Sequence, residues 1–222
     1  MNSLFRIAFF CLVLGASGLS VSAQIGELHH NWAVGVNAGG IYNSVSFVPK
    51  VKQNPYWGYT GGVTARYISE KYFSLLCGVQ AELNYVNRGW DENPEDIAYT
   101  YTRSMNYLEI PFMAHLAYGS NRFQGFLNVG PQFSFLLSEK EEYDGDIQSI
   151  NRVGKFADNK IDYGIAGGIG MELKTSIGNF LLEGRYYFGL SDFYKNGKAD
   201  PYSRSAHTTI SVRLSYLIDI TD

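Results

Sequence analysis

Eight stretches of this chain alternate apolar and polar residues with a period of two, the signature of strands whose two faces meet different surroundings. Their cores run over 32–42, 58–69, 73–88, 105–118, 123–137, 160–175, 180–190 and 205–220. The sixth is the clearest. Tyr163, Ile165, Gly167, Ile169, Met171 and Leu173 share one face, while Asp162, Gly164, Ala166, Gly168, Gly170, Glu172 and Lys174 share the other. In the third, Leu75, Cys77, Val79, Ala81, Leu83 and Tyr85 oppose Gln80, Glu82, Asn84 and Arg88. Arg66, Glu82, Glu109, Glu172, Glu183, Arg185 and Arg213 all fall on the polar parity, so no charge interrupts the apolar faces of the strand cores.

The connections also alternate. Those at Ser69–Tyr72, Gly119–Arg122 and Ser176–Asn179 are tight; those near 43–57, 89–104, 138–159 and 191–204 are long and polar. This puts every long connection at one end of an up-and-down, eight-stranded antiparallel β-barrel, the plan of outer-membrane barrels with short periplasmic turns and long external loops. A turn at Ser120-Asn121 would set Glu109 opposite Gln132 and Phe112 opposite Val129; one at Ile177-Gly178 would set Gly167 beside Phe188 and Glu172 opposite Glu183. An aromatic ring covering a neighbouring strand's glycine would stabilise such a sheet. Pro111 and Pro131 cannot donate to a ladder, and a local bulge is expected there.

Alternation alone does not say which face meets lipid, since a soluble lipid carrier would bury the apolar parity. Loop alternation, strand length and aromatics near strand ends favour lipid outside, with Tyr59, Tyr67, Tyr85, Tyr118, Phe123, Tyr163, Phe180, Tyr186 and Phe188 forming two girdles. The charged parity then lines a lumen just wide enough to be filled by side chains. Arg66, Glu82, Glu109, Glu172, Lys174, Glu183, Arg185 and Arg213 are expected to pair there as a plug, because an unpartnered buried charge is costly.

Composition agrees once it is placed on this pattern. The mean hydropathy of −0.13 excludes a bundle of membrane helices, and 24 Gly with 17 Tyr among 222 residues suit strands and turns. Residues 1–23 carry Arg6, the apolar stretch Ile7–Leu14 and a terminal Val21-Ser22-Ala23, the three parts of a cleaved secretory signal; 24–222 would be the barrel domain. The bulky Ala8-Phe9-Phe10 before Cys11 argues against lipidation. Removing Arg6 changes the formal charge from −3 to −4, which leaves no basic footprint for nucleic acid. Cys77 is then the one cysteine left, so no internal disulfide supports the mature domain.

Three further features stand out: Tyr107-Leu108-Glu109-Ile110-Pro111 opening the fourth stretch, Gly130-Pro131-Gln132-Phe133 in the fifth, and the run Gly164-Ile165-Ala166-Gly167-Gly168-Ile169-Gly170 before Met171-Glu172. With the signal and the eight strands, they make the chain resemble the PorT-like outer-membrane β-barrel family over roughly 32–220. The resemblance implies an integral outer-membrane barrel with periplasmic termini and external loops; the member that names the family takes part in protein secretion across the outer membrane. One departure is the end, Ile220-Thr221-Asp222, where many outer-membrane barrels carry an aromatic residue.

The search for chemistry is brief. Ser205 and His207 sit two residues apart at the external rim without an acidic partner, so a lipid hydrolase is a weak reading. His29-His30 supplies too few metal ligands, and the acid-rich run 139–146 lacks the spacing of a calcium loop. No residue set suggests a cofactor. The external loops are the better functional surface: Trp57, Trp90, Tyr143, Phe193 and Tyr202 stand among charges and suit a protein or glycan partner, though they suit packing on one another equally well. The expectation is a plugged outer-membrane barrel, in contact with membrane lipid and acting structurally or through its loops; a narrow pore for small solutes is the alternative.

Overall fold

The computed structural model describes residues 27–92, 99–145, 154–195 and 202–221; the expected signal peptide lies outside them. It is a closed antiparallel barrel in sequence order: β1 (Glu27–Val48), β2 (Asn54–Tyr72), β3 (Leu75–Glu92), β4 (Tyr99–Gly119), β5 (Phe123–Gly145), β6 (Ile161–Thr175), β7 (Gly178–Gly189) and β8 (Arg204–Asp219). β1 closes on β8 through a ladder from Ala33↔Asp219 to Val48↔Arg204, which removes both sheet edges in the lower wall. The described residues contain no helix.

The alternation places the faces. Val34, Val36, Leu83, Ile110, Phe112, Leu127, Ile169, Met171 and Leu214 point outward and are exposed, while Arg66, Glu82, Glu109, Glu172, Glu183, Arg185 and Arg213 point inward and are buried. On β4 the outward apolar run extends from Leu108 to Tyr118. At about 3.3 Å per residue and a tilt near 40°, that run spans roughly 25 Å, the height of an outer-membrane apolar band.

Both tight registers differ from the expected ones by two residues. Gly119 pairs with Gln124, so Glu109 faces Ser134 and Pro111 faces Gln132. The chain reverses through Ser120–Phe123, closed by Ser120 N–H donating to Phe123 O at 2.8 Å. Thr175 pairs with Gly178, so Gly167 faces Tyr186, Glu183 faces Gly170 and Glu172 faces Leu181. A shift of two keeps every side chain on its own face, which is why the parity held while the partners changed. The first turn also lies later than expected, at Phe73-Ser74, with Phe73 at φ 55°.

The prolines do not bulge the sheet. The offset is the same on both sides of Pro111 and Pro131, and the β4–β5 irregularity falls between Asn106 and Tyr107, where Leu137 is the extra residue. A missing N–H removes one ladder bond without shifting the register. No ring covers Gly167 either, since a Cβ built there meets nothing within 4 Å.

The largest correction concerns the long connections. Residues 43–48, 54–57, 89–92, 99–104 and 138–145 are strand. They look like loops in sequence because their outward face turns polar. Where they begin, Tyr56 Oη donates to Asn87 Oδ1 at 2.9 Å, Asn87 Nδ2 to Ser104 Oγ at 2.8 Å, and Asn106 Nδ2 to Ser138 Oγ at 2.9 Å, with Asn87 and Asn106 at the upper ends of the expected strand cores. Such a hydrogen-bonded polar face marks where the wall leaves lipid and continues into water.

Candidate functional site

The lumen is a stack of layers. At the end of the tight turns Ala33, Ile68, Leu76, Ala117, Phe126, Leu181 and Leu217 form an apolar floor, buried because these inward positions meet across the narrow barrel. Immediately above, Arg66 makes a bidentate pair with Glu172 at 2.7 and 2.8 Å, and His115 bonds Asn128 at 2.7 Å.

Over that lies one continuous ionic chain. Arg185 joins Glu183 at 2.8 Å to Glu82 at 2.7 Å; Arg213 joins Glu82 to Glu109, both at 3.0 Å; Arg88 joins Glu109 to Asp162, the latter at 2.9 Å. Acids and guanidinium groups alternate along it, from five different strands. Amides and hydroxyls complete the carboxylates: Gln80 and Asn84 donate to Glu82 at 2.7 and 2.8 Å, and Tyr187 and Ser191 donate to Asp162 at 3.0 and 2.6 Å. The planar fork of arginine suits such bidentate, branching contacts better than a lysine would.

An aromatic layer occupies the outer end. Phe47, Trp90, Tyr101, Tyr107, Phe193, Tyr194 and Tyr202 are buried with Val45, Met105 and Ala157. Phe193 lies 5.0 Å from the His207 ring and 5.7 Å from Trp90 between centroids. Arg103 anchors this layer through Glu139 and Glu141, and its Nη1 donates to Tyr101 Oη at 3.1 Å. Burial pushes the Tyr101 phenol up to about 12, so it stays a neutral hydrogen-bonding group above the membrane.

Of the charges singled out in the sequence, Glu82, Glu109, Glu183, Arg185 and Arg213 are joined in the chain, and Arg66 with Glu172 forms a separate pair. Lys174 is not among them. It lies half-buried at the mouth on the tight-turn side, beside His29, Lys71 and Gln124 in a cup of about 280 Å³. The expected apposition of Glu172 and Glu183 does not occur: in the observed register Glu172 pairs with Arg66 of β2, and Glu183 with Arg185 two residues along its own strand. Arg88 and Asp162 were missed as members of the chain and Arg103 as the anchor of the outer layer. The first two lie near strand ends on the same parity as Glu82 and Glu172, and that parity was the signal that could have found them.

The aromatic surface also needs correction. Trp57 is 75% exposed on the outer face of β2, edge-on to Tyr42 at 5.0 Å, and Tyr143 is 51% exposed at the outer rim of β5. Trp90, Phe193 and Tyr202 are buried and belong to the outer plug, because the lumen is the nearest apolar volume available to rings above the lipid. Ser205 and His207 are buried as well: Ser205 Oγ accepts from Tyr194 N at 3.0 Å, and His207 lies between Asn43 and Tyr107 at 3.3 Å each. Neither is exposed at the rim.

Two adjacent glycines test this packing. A Cβ on Gly168 would lie 2.2 Å from Glu183 Oε1, a carboxylate held in place by Arg185, whereas one on Gly167 points into open lipid-facing space. Gly168→Ala is expected to lower unfolding stability by about 1–3 kcal/mol through overpacking. Gly167→Ala should leave it unchanged or raise it by about 0.5–1 kcal/mol. Urea unfolding in lipid vesicles measures both; equal effects would mean that the inward face is not tightly packed.

A closed eight-strand barrel with an apolar exterior, a filled polar lumen and a wall rising beyond the lipid is a transmembrane barrel of the outer-membrane class. The sequence agrees: residues 22–195 match the family described as the outer membrane protein beta-barrel domain, and the chain belongs to that family. Among solved structures it is similar to the outer membrane protein OprG from Pseudomonas aeruginosa, with 13% identity, a TM-score of 0.53, and coverage of 87% of this chain and 98% of that one. It is also similar to Ail of Yersinia pestis, at 12% identity and a TM-score of 0.41 over 86% of this chain and 100% of that one. The outer membrane enzyme PagL matches at 12% identity and a TM-score of 0.42, over 82% and 98%. At these identities the likeness is one of fold. No curated protein sequence matches the chain.

Proposed function

We propose that this outer-membrane protein works as a closed-lumen barrel whose wall above the lipid is an interaction surface. The observation that carries the reading is the change of the outward face from apolar to hydrogen-bonded polar at Asn87, Asn106 and Ser138, while β3, β4 and β5 continue to Glu92, Tyr99 and Gly145. A protein that only had to span the membrane would not need that extension. Rigid strands order their side chains before contact, which lowers the entropic cost of binding. The partner is a protein or glycan at the cell surface; the PorT-like resemblance adds an accessory role in secretion or envelope assembly.

The test is photocrosslinking in whole cells from benzoylphenylalanine placed at Trp57, Lys140 or Tyr143, with lipid-facing Phe123 as control. Crosslinks to a macromolecule from the upper positions alone are expected, and their absence from all three would overturn the reading. The alternative, a narrow pore for small solutes, draws support from lumen atoms that lack a protein partner, among them Asn37 Oδ1, Gln80 Oε1, Gln132 Oε1 and His115 Nε2. Such atoms suit ordered water. Planar-bilayer recordings separate the two: a plugged barrel gives no steady conductance steps, and steps abolished by changes at Glu82 or Arg185 would establish the pore.

A further inference from the structure

The strands are unequal around the barrel. β5 pairs with β4 from Gly119↔Gln124 to Tyr99↔Gly145, but its ladder with β6 ends at Phe135↔Ile161. One more bond, Leu136 N to Lys160 O at 2.7 Å, continues that seam. Beyond it, among the described residues, β5 has a strand on one side only. Residues 154–157 do not fill the gap in the sheet: Gly154 N donates to Glu141 and Ala157 N to Glu139, both inward side chains, and Ala157 packs in the aromatic layer. At the foot of the open edge is a groove of about 830 Å³ lined by Asp158, Lys160, Ile161, Tyr163, Leu190 and Asp192, with other residues.

An unpaired strand edge offers a row of N–H and C=O groups that another extended chain can complete. The chemistry of this one selects its occupant. The segment 138–144 carries Glu139, Glu141, Glu142 and Asp144 against Lys140, and Arg103 compensates only the inward Glu139 and Glu141. The groove is lined by Asp158, Lys160 and Asp192, with Asp158 and Asp192 accepting from Lys195 N and Ser205 N. A second copy of this chain would bring acids against acids across the new ladder, which is unfavourable. An extended basic segment would meet complementary charge along the strand and place apolar side chains over Ile161, Tyr163 and Leu190.

We propose that the upper half of β5 is a strand-addition site for an extended, Lys- or Arg-rich segment of a protein partner. This deepens the interaction-surface reading above and rests on it. The probe is a fluorescent ten-residue peptide of alternating Lys and Val, titrated by anisotropy against the full protein in detergent micelles. Saturable binding is expected, with new hydrogen-exchange protection confined to backbone amides within 138–144. Peptides N-methylated at every second residue distinguish edge pairing from mere charge attraction: one of the two possible patterns should weaken binding at least tenfold and the other only slightly. Glu142→Lys with Asp144→Lys should also weaken it at least tenfold. The proposal is overturned by no binding, by equal binding of both N-methylated patterns, or by protection elsewhere. If it fails while Trp57 still crosslinks to a partner in cells, the wall remains an interaction surface and only its β5 edge is excluded; loss of both removes the broader reading.

Discussion

Glu82→Gln should lower the unfolding free energy by about 3–5 kcal/mol, the usual consequence of removing one partner from a buried ionic network. Glu82 is the acid that joins Arg185 to Arg213 in the ionic chain, with contacts of 2.7 and 3.0 Å. The amide keeps the shape but removes the charge, leaving each arginine with its other acid, Glu183 or Glu109. The separate pair supplies the control. Arg66→Met alone strands Glu172 and should cost a similar amount, whereas Arg66→Met with Glu172→Leu removes both charges and should fall within about 1 kcal/mol of the parent. Urea titration of the barrel in lipid vesicles reads all three. A loss below about 1 kcal/mol for Glu82→Gln would mean that water screens the lumen and the charges are not a plug.

Phe193→Ala should release the outer plug while leaving the barrel folded. The ring packs between His207, Trp90 and Tyr194, with centroids 5.0, 5.7 and 4.7 Å away. Removing a buried phenylalanine ring costs about 3 kcal/mol or more. Because this segment follows β7 and lies outside the strand ladders, the loss should appear as local opening. At about 1.4 kcal/mol per tenfold, trypsin cleavage after exposed Lys195 is expected to rise roughly a hundredfold. The shift of the folded barrel on unheated gels should persist. An unchanged cleavage rate would show that the segment is held by its backbone contacts, Phe193 N to Ser205 O and Asn159 N to Phe193 O, and not by the ring.

What could be read in advance was the property with a period of two. Tyr163 to Leu173 and Ile210 to Ile218 point outward as their alternation indicates, and a register error of two residues at the β4–β5 and β6–β7 turns left this intact. The same error changed every partner. Glu172 and Glu183, adjacent in the expected register, instead bind Arg66 and Arg185. Composition misled at the upper wall: Ser104 and Ser138 read as loop residues because polarity commonly marks a loop, yet here it marks a strand whose outer face has left the lipid.

The amino-acid order by itself determined the number of strands, their faces and the sign of the environment on each side, because side-chain direction along a strand is a local consequence of backbone geometry. Only the closed barrel decided which acid meets which arginine, that Trp90, Phe193 and Tyr202 plug the lumen while Trp57 and Tyr143 face solvent, and that β5 outruns β6. Those contacts join residues far apart in the chain across a lumen whose width and stagger are set by all eight strands together, so no single segment carries them.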